Sequence, residues 1–258
     1  MTSVLVTGAN GQLGRSIRDI VVNYPGLHFT FKDKSQLNIA NANEVEKAFR
    51  SSIFDYCINC AAYTNVEQAE TNPELAYKIN AEGVKNLALA CKENRVVLVH
   101  ISTDYVFDGY KNEPYNVADQ PNPINEYGRS KLKGETIIQE TLKNFYIVRT
   151  SWLYHKNHGK NFYKRIIEKA KAGESLRVTD AQKGCPTNAS NLAVYVLNLI
   201  VQNNIAYGVL HFTDNEAMTW FDFAKKIIRN EGLHCKVEVL DSKKRFGVAR
   251  RPSNSVLE

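Results

Sequence analysis

The chain has 258 residues, of which 43% are hydrophobic and 23% charged, and its formal net charge is +6. These proportions are those of a folded globular protein and exclude disordered and collagen-like classes; no apolar run reaches the ~18 residues that a bilayer crossing needs. The length exceeds the usual single-domain mode, so one compact body with a smaller appended lobe is expected.

The N-terminus enters a strand-like segment at residues 3–7 without a basic and apolar leader, which places the expected location in the cytoplasm. Further strands are expected at 28–32, 55–60, 96–102 and 145–150, where short β-branched runs stand between helical patterns. Helices are expected at 12–22, 42–50, 73–93 and 126–142, and Asn41 with Glu44 has the spacing of a capping box. Strand and helix alternation predicts an α/β fold, a doubly wound parallel sheet of the Rossmann type. The unbroken apolar run Val96-Val97-Leu98-Val99 suits a sheet covered on both faces. Beyond residue 152, helical stretches at 162–172, 192–201 and 220–230 mix with short strands at 176–179, 209–212 and 236–240. This part reads as a small lobe interleaved with the last part of the sheet. The polar stretch 108–125, with Pro114, Pro121 and Pro123, is the most loop-like region and is expected beside the site.

Five cysteines, Cys57, Cys60, Cys91, Cys185 and Cys235, are scattered and odd in number, which suits reduced thiols. Cys57 and Cys60 lie three apart in a strand and so point to opposite faces, as buried small hydrophobes rather than a metal or redox pair. The positive charge suits an anionic partner. The densest basic patch, Lys243, Lys244, Arg245, Arg250 and Arg251, has neither an aromatic platform nor helix-turn-helix spacing, so a solvated face or a diphosphate contact is expected and nucleic acid is not.

Directly after the first strand comes Gly8-Ala9-Asn10-Gly11-Gln12-Leu13-Gly14. Its glycines permit a tight turn, a close backbone approach to a pyrophosphate and tight packing of the next helix, whose N-terminal amides face the phosphates. After the second strand, Asp33 is placed to bond an adenosine ribose hydroxyl, whereas Lys32, Lys34 and Arg15 would suit a 2′-phosphate. The expectation is NADPH with NADH also possible. Residues 1–151 are accordingly assigned as the dinucleotide-binding domain and 152–258 mainly as the substrate-binding lobe.

Tyr127 and Lys131 are four apart on a helical pattern and share one face. A phenol is a poor proton donor at neutral pH unless a neighbouring ammonium lowers its pKa, and Lys131 is expected to do so. The strand 96–102 ends in Ser102-Thr103 at the edge where such sheets bind ligands. Thr103 is chosen to stabilise the oxygen of a carbonyl under reduction, Tyr127 to supply its proton and Lys131 to anchor the nicotinamide ribose.

Four stretches, Thr7 to Gly14, Asn59-Cys60-Ala61-Ala62-Tyr63-Thr64, Ser102 to Gly109 and Tyr127-Gly128-Arg129-Ser130-Lys131, together resemble the dTDP-4-dehydrorhamnose reductases, within the extended short-chain dehydrogenases/reductases. Arg149 to Tyr154, Asn161-Phe162, Asp180 to Thr187 and Arg251 to Ser255 agree with that resemblance. It implies NAD(P)H-dependent reduction of the C4 ketone of dTDP-4-dehydro-L-rhamnose, towards cell-envelope polysaccharide. By the same resemblance Ala61, Ala62, Tyr63, Asn38 and Ile39 border the cofactor, with Asn80 supporting them. Asp104, Tyr105, Trp152, Asn161 and Gln182 face the substrate, a small-molecule dTDP-sugar. Members that bind Mg2+ between subunits carry glutamates where this chain has Arg15 and Ser190, so no metal and no metal-bridged dimer is expected, only a monomer or weak homodimer. The usual Asp-Ile pair near the adenine reads Asn38-Ile39, and members usually continue past the segment matching Arg251 to Ser255 into a terminal helix, whereas this sequence stops at Glu258.

Two alternatives share these motifs. One is another sugar-nucleotide reductase, epimerase or dehydratase. The other is a non-catalytic NADP-binding regulatory subunit similar to the β subunit of methionine adenosyltransferase.

Overall fold

A computed structural model describes residues 1–202, 204–240 and 247–258. Lys243, Lys244 and Arg245 of the basic patch lie outside the described residues. The first half alternates β1 (Thr2–Thr7), α1 (Gln12–Ile20), β2 (Leu27–Lys32), α2 (Ala42–Arg50), β3 (Tyr56–Asn59), α3 (Val66–Thr71), α4 (Pro73–Tyr77), α5 (Gly83–Asn94), β4 (Val97–Thr103), α6 (Glu126–Thr141) and β5 (Phe145–Thr150). The second half adds β6 (Leu153–Tyr154), α7 (Phe162–Lys171), β7 (Leu176–Val178), β8 (Lys183–Gly184), β9 (Thr187–Asn188), α8 (Ala189–Gln202), β10 (Gly208–His211), β11 (Met218–Thr219), α9 (Trp220–Asn230) and β12 (Val237–Val239).

A six-stranded parallel sheet runs in the order β10-β5-β4-β3-β1-β2, the α/β arrangement that the alternation predicts. One face is sealed by α2, α5 and α6 through Val45, Phe49, Leu87, Cys91 and Ile138; the other is sealed by α1 and α8 through Leu13, Ile17, Leu192 and Val196. Burial on both faces explains why the strands read as continuous apolar runs. Cys57 belongs to the first core while Cys60 packs against the second, and all five cysteines are free. A third core, Tyr163, Ile166, Leu176, Val178, Phe223 and Ile227, gathers α7, α9, β7 and β12 apart from the large sheet.

Three features depart from the sequence reading. The expected helix 73–93 divides into α4, a π-helical turn at Lys78–Glu82 and α5. The turn sets buried Asn80 beneath the site and against Gly134, where an added Cβ would stand 2.2 Å from the Asn80 carbonyl oxygen. A short helix, α3, occupies a stretch to which the sequence pattern assigned no element; Asn65 caps it by accepting from the Gln68 N–H. The 108–125 loop packs on the C-terminal segment rather than around the site cavities: Tyr115 bridges Leu257, and Asn254 donates to the Lys111 carbonyl at 2.7 Å. Its last residue, Asn125, still serves the site by capping α6.

Candidate active site

The glycine-rich turn is built as its spacing requires. Gly8 has φ +63, and a Cβ there would meet the backbone of Cys60 and Ala61 at 2.6–2.7 Å; a Cβ on Gly14 would lie 2.7 Å from the Gly8 carbonyl oxygen. Gly11 stands at the N-cap of α1 and provides no side-chain cap, so the first-turn amides remain open for an anion. A turn that tolerates no Cβ and a helix start without its own acceptor fit a pyrophosphate. Asn10 donates to Asp33 at 2.6 Å, and Asp33 also accepts from the backbone and hydroxyl of Ser35 and the backbone of Gln36. The Ser35 hydroxyl, with these other donors, holds the Asp33 carboxyl below its ordinary range.

Asn38 and Ile39 are shaped from α2. Glu44 accepts from the Asn38 N–H at 2.8 Å and from the Asn41 side chain at 2.9 Å, while Asn41 accepts from the Asn43 and Glu44 amides. The expected capping box is thus redirected, since Glu44 reaches past the cap backbone to the segment expected near the adenine. Ala61 donates its N–H to Asn59, and Tyr63 is held through its backbone by Asn80, which also donates to Ser130.

A cavity of about 490 Å³ opens from this turn and is lined by Gly11, Gln12, Leu13, Ala62, Thr103, Asp104, Tyr127, Lys131 and Trp152 among others. Tyr127 sits on the first turn of α6, where Asn125 accepts from the Gly128 N–H at 2.7 Å. Gly128 is needed there, because a Cβ would stand 2.1 Å from the Tyr105 carbonyl oxygen. Burial pushes the Tyr127 phenol up to about 12; a hydrogen bond with Thr103 eases the shift and the Asp104 charge adds to it. Lys131 is 1% exposed. Its Nζ donates to the Ile101 carbonyl at 2.7 Å and lies 3.2 Å from Nε2 of His100. Burial lowers Lys131 to about 8, with Glu135 opposing. The expected lowering of the Tyr127 pKa by Lys131 is therefore corrected: the amine is turned onto β4, and burial dominates the phenol.

The two hydroxyls ending β4 separate by their partners. Ser102 donates to Glu135 at 2.5 Å, and Glu135 is paired with Arg149 at 2.7 Å, both almost fully buried. Thr103 instead faces the cavity, donating to Asp104 at 3.0 Å and accepting from the Tyr105 N–H at 3.2 Å. Burial raises the Asp104 carboxyl to about 7, against hydrogen bonds from Ser255 and Thr103.

The residues expected to face substrate divide between two hollows. Asp104 and Trp152 line the first; Tyr105 and Gln182 line a second of about 560 Å³ with Phe162, Arg165, Lys169, Arg177, Trp220 and Arg251, and no acid is among its described lining residues. Trp152 lies at the border. Its φ is +45, its ring stacks on Trp220 with centroids 3.5 Å apart and planes at 6°, and Gly184 leaves room for its edge. Trp220 donates to Gln182 at 3.1 Å. Asn161 lines neither hollow: it caps α7 by accepting from the Lys164 N–H, and its amide donates to Gln12 at 2.7 Å and to the carbonyls of His155 and His158, tying the lobe to the glycine-rich turn.

Sequence reasoning missed Arg165, Lys169, Arg177 and Trp220. Arg165 and Lys169 carried a findable signal, four apart on one face of α7. Arg177 and Trp220 had none, since only the lobe's packing brings them together. Asp19, His155 and His158 also approach one another within 4.8 Å. Their bonds are those of a clamp: His158 Nε2 meets Asp19 at 2.6 Å, and His155 Nδ1 accepts from the backbone N–H groups of Asn157 and His158.

A parallel sheet with a glycine-rich turn, joined to a Thr-Tyr-Lys cavity, defines a nicotinamide-dependent oxidoreductase of the short-chain dehydrogenase/reductase class. The RmlD substrate binding domain model matches residues 1–258, and the chain belongs to that family. The dTDP-4-dehydrorhamnose reductase of Aggregatibacter actinomycetemcomitans is 35% identical, with 100% of this chain and 91% of that protein covered. The crystal structure of the Bacillus anthracis dTDP-4-dehydrorhamnose reductase in complex with NADP has a TM-score of 0.95 at 39% identity, covering 100% of this chain and 91% of that one. The Clostridium acetobutylicum dTDP-4-dehydrorhamnose reductase structure has a TM-score of 0.94 at 41% identity, covering 100% and 90% respectively.

Proposed function

We propose that this protein reduces the C4 ketone of dTDP-4-dehydro-L-rhamnose with NADPH to give dTDP-L-rhamnose. The observation that carries the reading is the meeting of Thr103, Tyr127 and Lys131 in a cavity that begins at the glycine-rich turn and adjoins a hollow whose described lining is cationic. The open amides of α1 would hold the pyrophosphate, Asp33, Asn38 and Ile39 would border the adenosine, and Ala61, Ala62 and Tyr63 would border the rest of the cofactor. NADPH supplies the hydride when bound. Thr103, turning its single hydroxyl hydrogen from Asp104, donates a hydrogen bond to the C4 oxygen as charge gathers on it, and Tyr127 gives that oxygen its proton. The high pKa of the buried phenol keeps it protonated, which is the form a donor needs.

In the second hollow Arg165, Lys169, Arg177 and Arg251 supply charge for a sugar-linked diphosphate, and the Trp152–Trp220 stack with Phe162 offers flat faces. Arg251 is oriented by Glu67 at 2.6 Å. Residues 1–151 form the cofactor domain in this reading, and 152–258 mainly the substrate lobe, with α8 and β10 returning to the sheet. The protein acts in the cytoplasm as a monomer or weak homodimer, without Mg2+ and without nucleic acid. Lys32, Lys34 and Arg15 favour NADPH, and a catalytic efficiency ten or more times greater with NADH, about 1.4 kcal/mol, would reverse that preference. The test of the function is the product: NMR of the sugar after incubation with NADPH should show dTDP-L-rhamnose. A C4 epimer, or recovery of unreduced ketone, would refute it.

A further inference from the structure

A buried hydrogen-bond chain runs from β1 to the catalytic lysine. The Ala61 N–H donates to Oδ1 of Asn59 at 3.1 Å, and the Thr7 hydroxyl donates to the same oxygen at 2.7 Å. The backbone donor cannot turn round, so it fixes which way the Asn59 amide points. Asn59 Nδ2 then faces Nδ1 of His100 at 3.0 Å. An amide nitrogen only donates, so Nδ1 must accept, and a neutral ring carries its hydrogen on Nε2. That Nε2–H points at Lys131 Nζ, 3.2 Å away. Nζ already gives one hydrogen to the Ile101 carbonyl at 2.7 Å. An amine there accepts the His100 hydrogen with its lone pair. An ammonium has no lone pair and would set N–H against N–H.

From this geometry we propose that Asn59 and His100 act as positioning residues that lock the imidazole in its Nε2–H tautomer and thereby favour the neutral amine of Lys131. The titratable groups acting on Lys131 are His100 from β4, Cys60 after β3 and Glu135 from its own helix, with Tyr127 lining the same cavity; Glu135 is engaged by Arg149 and Ser102. Burial also disfavours charge on Lys131 and on His100. The consequence for the reaction is that Lys131 can accept a proton or pass one on near neutral pH, where an ordinary lysine is saturated with protons. For an ammonium to form comfortably, Asn59 must flip and give up the Ala61 amide.

The inference rests on Lys131 serving the reductase reaction, but its test reads the protein alone, so a failed activity assay and a failed lock are distinguishable. Long-range 1H–15N spectra of the ligand-free protein should show His100 protonated at Nε2, and 13Cε-labelled lysine should follow the Lys131 titration. Asn59→Asp replaces the amide nitrogen by a carboxylate oxygen that accepts from Nδ1–H, which inverts the ring. It should raise the Lys131 midpoint by about one pH unit or more, about a tenfold rise in the ammonium-to-amine ratio. An Nδ1–H tautomer in the unaltered protein, or an unmoved Lys131 midpoint in a folded Asn59→Asp variant, overturns the proposal. The tautomer measurement needs no variant and decides alone if Asn59→Asp does not fold.

Discussion

Tyr127 and Asp104 both hydrogen-bond with Thr103, and burial pushes both pKa values up. For Tyr127 this keeps a proton in place for transfer. Tyr127→Phe should leave NADPH affinity nearly intact while lowering kcat by about two to four decades, measured by titration of cofactor binding beside steady-state turnover. For Asp104 the shift links to stability. A carboxyl raised from its ordinary value of 3.8 to about 7 binds its proton more tightly in the native than in the unfolded chain. Its contribution is therefore present at low pH and lost as pH rises through the folded value. Between about pH 5 and 8 the Tm should fall less for Asp104→Asn than for the unaltered protein, measured by thermal unfolding at each pH. Tyr127, Lys131 and Thr103 were legible because local spacing and strand order fix them. His100 was not, because an isolated histidine within an apolar strand discloses no partner until β3 and α6 are brought beside it.

At the scale of elements, α6 depends on close approach. Gly128 lets its first turn meet the Tyr105 carbonyl, and Gly134 lets its middle meet the π-turn carbonyl of Asn80. Gly134→Ala should destabilise the fold by about 1–3 kcal/mol through overpacking, whereas Gly26→Ala, with nothing within 4 Å of the added Cβ, serves as the control in denaturant unfolding. Equal stability of the two variants would show that the helix can retreat without cost. The sequence pattern revealed α2, α6, α9 and β5 nearly to their ends, because apolar periodicity and caps coincide there. It ran α4 and α5 into one helix, since the residues of the π-turn itself, Lys78–Glu82, hold no Gly or Pro and the Gly83 that follows continues as helix. It overlooked α3, whose six residues bury Ala69 and present too little apolar surface to register as periodic.

Across the whole molecule, chemistry is divided between the large sheet and the third core. The glycine-rich turn and the Thr-Tyr-Lys cavity belong to the sheet; the cationic hollow belongs mostly to α7, β7 and the segment around Arg251. Ties between these regions include the Asn161–Gln12 hydrogen bond, the His158–Asp19 contact and the Arg251–Glu67 ion pair. The first half was readable as a fold because its contacts are strand-helix-strand units of regular spacing. The lobe was readable only as helices and short strands, because its site is assembled from six separate stretches, at Tyr105, 162–169, 175–182, Trp220, Leu240 and Arg251. With Arg15 and Ser190 in place of hard oxygen ligands, exhaustive chelation with EDTA should leave both turnover and sedimentation behaviour unchanged, and loss of either on chelation, restored by Mg2+, would contradict that expectation. The most direct test of the reductase assignment follows NADPH absorbance on adding enzymatically generated dTDP-4-dehydro-L-rhamnose. One NADPH should be consumed per ketone with the unaltered protein and almost none with Tyr127→Phe in the same interval; no decay with the unaltered protein, or equal decay with both, would contradict the assignment.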